Sequence, residues 1–314
     1  MKAAVISKWG DPTIFEQTDI PIPIPAPDQI MIKVVASSIN PVDWKHRIGN
    51  HKYILGSPFP IVLGYDVCGE VVEVGNNTSH FKKGDMVFGD LDNKYGGGLA
   101  EFAVGHEHCF ALKPKNIDAS TAAAIPLAGM TALQALRDKC SLKPGQTILI
   151  NGASGGVGHF AIQIAKIMGA KVMAVCSKEK HAFAHSLGAD ECIDYKSEDL
   201  STRKNSTDIF FDVIGNYSFL STRNMLHKNG IYISTLPRPK ILIHKLLQPF
   251  SNGKKVKTLL RKHVSADLTQ LAQWVDDDKL KVHIDKSFKL NDITKAHTYA
   301  ETGRTTGKNI VVIQ

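Results

Sequence analysis

The stretch QTILINGASGGVGHFAIQIAKIMG, residues 146–169, constrains the fold more than any other part of the chain. An apolar run of strand length (146–152) ends in a cluster of glycines, Gly152, Gly155, Gly156 and Gly158. Residues 157–169 then repeat apolar side chains at helical spacing and stop at Gly169. Strand, glycine loop and helix in that order open a βαβ unit, and A-x-G-x-x-G from Ala153 is a variant of the dinucleotide fingerprint. The geometry needs glycine because the chain turns sharply, a pyrophosphate must approach the backbone, and the helix must pack close to the strand. The start of the helix offers N–H groups and a partial positive charge to a phosphate. Gly152, Ala153, Ser154, Gly155, Gly156, Val157 and Gly158 are therefore the candidate cradle.

Strands and helices keep alternating downstream. KVMAVC (171–176), ECIDY, DIFFDVIG and GIYISTL (230–236) read as strands, and KEKHAFAHSLG as a helix ending at Gly188. A parallel, doubly wound Rossmann sheet is predicted for 125–265. The first ~120 residues differ in character. IMIKVVA (30–36), VCGEVVEV (67–74), KKGDMVFGD and GGGLAEFAV are short strands with glycine turns, and prolines at 21, 23, 25 and 27 hold an extended loop between them. This part is predicted to be a partly open β-barrel. ADLTQLAQWVDDDKL (266–280) reads as an amphipathic helix, and the tail after it is expected to pack back on the first domain. The domains expected are 1–124 with 266–314, and 125–265.

The second strand of the βαβ unit decides which nucleotide fits. An NAD site places Asp or Glu at that strand's end to hold the ribose 2′-OH. Here the sequence is Cys176-Ser177-Lys178-Glu179-Lys180. Ser177 can donate to the ribose, Lys178 or Lys180 can meet a 2′-phosphate, and Tyr195 can close the same pocket. NADPH is the cofactor this favours, with Glu179 as the residue that argues the other way.

The motifs SSINPVDWKHRIG, GYDVCGEVVEVG, FKKGDMVFG, PLAGMTALQAL, AHTYAETG and GRTTGKNIVVIQ, together with the glycine loop, run along nearly the whole chain. In that order they resemble the zinc-independent quinone oxidoreductase branch of the medium-chain dehydrogenase/reductase superfamily. The resemblance implies a GroES-like substrate domain, a Rossmann domain, a cofactor in the cleft between them, and a homodimer. It implies Asn40 and Asp43 lining the cleft, with Asn40 donating its amide to cofactor or substrate. Tyr53 falls where relatives carry a tyrosine suggested as proton donor. Thr131 is expected near the nicotinamide, Ile214, Gly215, Ser234 and Thr235 beside the cofactor at strand ends, and Lys308 and Asn309 on a segment reaching back to it.

Zinc-dependent members place Cys where this chain has Asn40 and His where it has Tyr65. Such a site takes three protein ligands from Cys, His and Asp or Glu, and an amide and a phenol do not supply them. The structural-zinc lobe of the superfamily, with its four closely spaced Cys, is missing too, only Cys109 lying in that part of the chain, so no metal is expected, with Tyr65 and Asp66 as structural or supporting groups. His46, His51, His106 and His108 read as surface histidines, and Cys68 as buried packing. Without a Lewis acid an isolated alkoxide is hard to stabilise. Hydride addition to a quinone, enone or enal spreads the charge onto oxygen, where a well-placed donor contributes about 3–4 kcal/mol. The function expected is NADPH-dependent reduction of such acceptors.

Charge supplies the rival reading. The net charge is +8, and the window from Val213 to Ala266 holds ten Lys and Arg with no Asp or Glu, leaving 28 basic against 30 acidic residues elsewhere. A lid over the cofactor or a dimer edge is the expected use of the segment at 238–262; a membrane surface is the lesser one, and nucleic acid is not expected. The alternative function is a catalytically weak cofactor-binding protein whose basic surface meets anionic lipid or RNA. Five scattered cysteines outside any C-x-x-C pair, and an N-terminus unlike a signal peptide, point to a cytoplasmic protein.

Overall fold

Alternating and continuous apolar runs sort into two kinds of sheet in the computed structural model, which describes residues 1–236 and 252–314. The chain divides into a first unit (1–128, 263–278 and 282–314) and a second unit (129–262 and 279–281).

In the first unit, β1 (Lys2–Ile6) lies between β2 (Phe15–Asp19) and β4 (Ile61–Val62). A seven-stranded sheet holds β3 (Gln29–Ile39), β5 (Asp66–Val74), β6 (Met86–Asp90), β7 (Phe102–His106) and β8 (Phe110–Leu112), completed by β15 (Ile284–Lys289) and β16 (Lys308–Val312). β3 is the longest strand and the hub, pairing antiparallel with β5, β7 and β16. Its inward residues Ile30, Ile32 and Val34 pack with Val67, Val71, Val87 and Phe110. Each such side chain contributes roughly 1.5–3 kcal/mol by leaving water. Two registers matter for function: Ser38 stands opposite Asp66, and Asn309 opposite Ile39. The tail thus brings Lys308 to the end of β3 where Asn40 begins the helix Pro41–Arg47.

The second unit is a six-stranded, all-parallel sheet. β9 (Thr147–Asn151), β10 (Lys171–Cys176), β11 (Glu191–Asp194), β12 (Thr207–Asp212), β13 (Leu226–Ser234) and β14 (Lys255–Thr258) stand in the order β11-β10-β9-β12-β13-β14. This is the 3-2-1-4-5-6 order of the doubly wound nucleotide fold, reversing beside β9. Register aligns Asn151 with Asp212, Asp212 with Ser234, and Cys176 with Asp194, so the strand ends form one edge.

Three elements depart from the sequence reading. β13 begins at Leu226 rather than 230, because Asn229 takes a left-handed φ of 63° inside the strand and Lys-Asn-Gly there reads as a turn. The helix expected over 178–188 is a 3-10 turn, Lys178–Lys180, followed by a short helix, His181–Ser186. The helix expected to reach 280 spans Ser265–Asp276. Three consecutive aspartates oppose the helix dipole there, and Asp278 turns left-handed at φ 58°. Part of the basic segment, residues 238–251, lies outside the described residues.

Candidate cofactor loop and buried polar centre

The loop after β9 has the shape a pyrophosphate requires. Gly152 sits at φ +81°, and a Cβ on it would lie 2.6 Å from Ile214. A Cβ on Gly158 would lie 2.2 Å from the Gly152 carbonyl and 2.6 Å from that of Ala153, so only glycine lets the helix Gly156–Ile167 press against the loop. Gly155 is the N-cap and has no side chain to occupy the first-turn N–H groups. Ala153 and Ser154 are buried, while Gly155, Gly156 and Val157 are half-exposed. Backbone donors, a helix start and accessible glycines fit the phosphates of a dinucleotide.

The turns beside the loop gather several of the expected residues. Ile214 and Gly215 lie just past β12 rather than within it, and Ile214 is exposed. Ser234 is the buried last residue of β13, and the Thr235 hydroxyl donates to the Val213 carbonyl at 2.9 Å. Asp212, unremarked in the sequence, is the hub. Its carboxylate is fully buried and accepts from Asn151 Nδ2 (2.8 Å), Gly215 N–H (2.8 Å), Tyr217 N–H (3.1 Å) and Tyr232 O–H (3.0 Å). Thr131 is buried on the helix Pro126–Gln134.

At the end of β10, Ser177 is buried, and the Glu179 carboxyl is held below its usual pKa first by its own backbone N–H and then by the Ser177 hydroxyl. The hydroxyl expected to serve the ribose is thus shared with Glu179, whose own carboxylate faces Lys196 at 3.4 Å. Lys178 is exposed, Lys180 half-exposed and Tyr195 exposed at the end of β11, on the same sheet edge.

The first unit carries a different kind of site. Asp66 opens β5 fully buried, where an unpaired charge would be costly. Its Oδ2 accepts from Ser38 Oγ (2.6 Å), Asn40 Nδ2 (2.8 Å) and Lys308 Nζ (3.2 Å), and its Oδ1 from the Leu127 N–H (2.7 Å). Lys308 Nζ also donates to Asn40 Oδ1 at 2.5 Å. Asn40, expected to donate to cofactor or substrate, and Lys308, expected on a segment reaching back to the cofactor, bond Asp66 and one another. Asn309 is buried and donates to Thr305 Oγ1 at 2.9 Å.

Asp43 completes the centre as the last member of a capping box, accepting the Asn40 N–H at 2.7 Å. Burial, reinforced by the nearby Asp66 charge, pushes its carboxyl up to about 7. The fold therefore joins Asn40, Asp43 and Lys308 to Asp66. Tyr53 stands apart on the short helix Lys52–Leu55, 91% exposed, with the Lys52 ammonium 5.0 Å from its ring.

His46 is not a surface histidine. It is buried against His51, Tyr65 and Tyr95, and burial drives its pKa down to about 4. The short helix turns this face inward because Tyr65 and Tyr95 supply aromatic surface beneath it. The Tyr65 hydroxyl donates to the Lys94 carbonyl at 2.6 Å and lies 3.3 Å from His46 Nδ1. Cys68 is buried as expected, and its thiol is pushed up to about 12 by burial.

Signals for the Asp66 centre exist in the sequence, though they do not say what joins what. An aspartate at the head of an apolar strand needs a buried partner, and a lysine opening the equally apolar KNIVVIQ is a candidate for that role.

Two family models match the chain: an alcohol dehydrogenase GroES-like domain over residues 26–115 and a zinc-binding dehydrogenase over residues 187–311. Among curated relatives, the chain is 37% identical over 315 residues to a chloroplast envelope quinone oxidoreductase homolog of Arabidopsis thaliana, covering 97% of this chain and 96% of the relative. It is 35% identical to a chloroplastic NADPH-dependent alkenal/one oxidoreductase of the same plant, covering 99% of this chain and 79% of that one. The solved quinone oxidoreductase of Coxiella burnetii superposes with a TM-score of 0.93 at 32% identity, covering 100% and 99% of the two chains.

Proposed function

The chain belongs to the quinone oxidoreductase branch of the medium-chain dehydrogenase/reductase superfamily, and on that premise we propose that it is a zinc-independent, NADPH-dependent reductase of quinones or α,β-unsaturated carbonyls. The observation that carries the reading is the Lys308 ammonium against Asp66. A carboxylate that a metal would need is already neutralised by a lysine, and a divalent cation placed there would meet a positive charge at hydrogen-bond distance. The chain's own groups at this centre are amide, hydroxyl and ammonium donors.

NADPH, when bound, supplies a hydride to the electron-poor carbon of the acceptor. The glycine loop and the start of the helix Gly156–Ile167 hold its pyrophosphate. Lys178 and Lys180 supply positive charge for a 2′-phosphate, and Lys196 offsets the Glu179 charge that would otherwise repel it. On the acceptor side, charge moves from carbon onto a carbonyl oxygen. Asn40 and Lys308 each carry one more N–H than their bonds to Asp66 and to each other use, and these fixed dipoles are what the centre can offer that oxygen. Asp43 holds its proton up to near neutral pH. A cytoplasmic homodimer belongs to the same proposal. Five unpaired thiols, four of them buried, are consistent with a reducing compartment.

Stopped-flow loss of NADPH absorbance with a panel of quinones, enones and enals tests the reading, alongside thermal shifts with NADPH and NADH. The expected result is turnover on conjugated acceptors, with NADPH the better ligand. Tight NADPH binding without turnover on any acceptor, joined to salt-sensitive association with anionic vesicles or RNA, would transfer the protein to the non-catalytic alternative.

A further inference from the structure

The first unit holds a second group of ligand-type side chains that shares no residue with the Asp66 centre. Asp92 follows β6, His106 ends β7, and His108 and Cys109 lie on the 3-10 turn Glu107–Cys109. The β6–β8 ladder sets Gly89 opposite Phe110, which carries the chain leaving β6 back past that turn. One ligand atom each from Asp92, His108 and Cys109 falls within 4.8 Å of the others.

We propose that Asp92, His108 and Cys109 form a binding site for a borderline-soft divalent cation of the zinc type, with His106 orienting the carboxylate. A thiolate, an imidazole and a carboxylate are the donors such a cation takes, at about 2.0–2.3 Å. Magnesium and calcium prefer all-oxygen sets. Tetrahedral ligation at those bond lengths sets ligand atoms roughly 3.4–3.6 Å apart. His108 Nε2 and Asp92 Oδ2 already stand at 3.8 Å.

Two further observations point to a ligand. The Asp92 carboxylate, buried at Oδ1, is hydrogen-bonded by the Cys109 thiol, so two of the three ligand groups already face each other. His106 Nδ1 lies 2.6 Å from Asp92 Oδ2, the outer contact that fixes a ligating carboxylate. Exposure also grades in the useful direction. Cys109 is fully buried, Asp92 partly so, and the His108 side chain is 58% exposed. The cation would enter past the exposed His108 imidazole, with water in the fourth position. Bound there, the cation ties the segment after β6 to the β7–β8 turn.

The test titrates metal-stripped full-length protein with cobalt(II) alone and cadmium(II) alone. Saturation at one ion per chain is expected, with thiolate-to-metal charge-transfer absorption that zinc(II) displaces. Cys109→Ser should abolish the absorption. His108→Ala, at an exposed position that leaves the core intact, should weaken binding by about tenfold or more. Cys192→Ser, at the one cysteine that is not buried, should change neither readout. Charge transfer that survives Cys109→Ser, wild-type affinity in His108→Ala, or no one-site binding at all would each overturn the site.

Discussion

Asp66 in the first unit and Asp212 in the second are both buried at strand ends, and the two are satisfied in opposite ways. Asp212 is surrounded by neutral donors: an asparagine amide, two backbone N–H groups and a tyrosine hydroxyl. They come from the ends and turns of neighbouring parallel strands, which the sheet places together. Asp66 draws on a serine, an asparagine, one backbone N–H and the ammonium of Lys308, which lies 242 positions away in sequence. A neutral shell holds a charge with groups that one parallel sheet brings together. An ion pair with so distant a partner makes the centre depend on the tail returning to β3.

The contrast breaks most sharply at Lys308. Lys308→Met leaves Asp66 buried without its cation, and a loss of about 3–5 kcal/mol is expected in urea unfolding. Adding Asp66→Asn removes the orphaned charge, so the double variant should be more stable than the summed singles by about 1–3 kcal/mol. Additive losses would show that the pair is not coupled.

Titration of Asp43 sharpens the picture next. Its folded pKa, about 7, lies above the ordinary 3.8. The folded chain therefore keeps a proton that the unfolded chain has released, so this group's contribution is full below pH 3.8 and fades as pH climbs through 7. At 1.36 kcal/mol per unit the fade amounts to at most roughly 4 kcal/mol. Stability of the parent relative to Asp43→Asn should fall as pH rises from 4 to 7; a flat difference would remove Asp43 from the charge balance. His46 acts with the opposite sign. Its pKa is depressed to about 4, so its contribution is present above 6.5 and is lost as pH drops toward 4. His46→Asn should relieve part of the acid destabilisation.

Asp212→Asn is expected to cost less, about 1–3 kcal/mol, since it sets an amide N–H2 against some of the four donors without stranding a charge. A loss equal to that of Lys308→Met would erase the distinction between the units. The smallest effect belongs to Tyr53→Phe, which should leave stability within about 0.5 kcal/mol and NADPH oxidation unchanged. A clear fall in turnover would restore Tyr53 as the proton donor.

How much could be read beforehand follows from sequence distance. The glycine loop was legible because strand, loop and helix are contiguous, and close packing at Gly158 is a property of neighbours in the chain. β13 was only half legible, because a left-handed Asn229 inside a strand looks like a turn until β12 pairs with it. His46 was misjudged because a polar residue on a seven-residue helix says nothing about what lies beneath. Asn40, Asp43 and Lys308 were each singled out, but the partners that occupy them were not.

The sequence by itself determined a nucleotide-type βαβ unit, a β-rich first domain, and an Asn and a Tyr where related enzymes carry metal ligands, because each is written in residues a few positions apart. The tertiary structure decided that Lys308 balances Asp66, that Asp43 is driven toward neutrality, and that His46 turns inward. Those outcomes depend on burial and on contacts between distant segments, where a few ångströms set both the desolvation of a charge and the partner that offsets it.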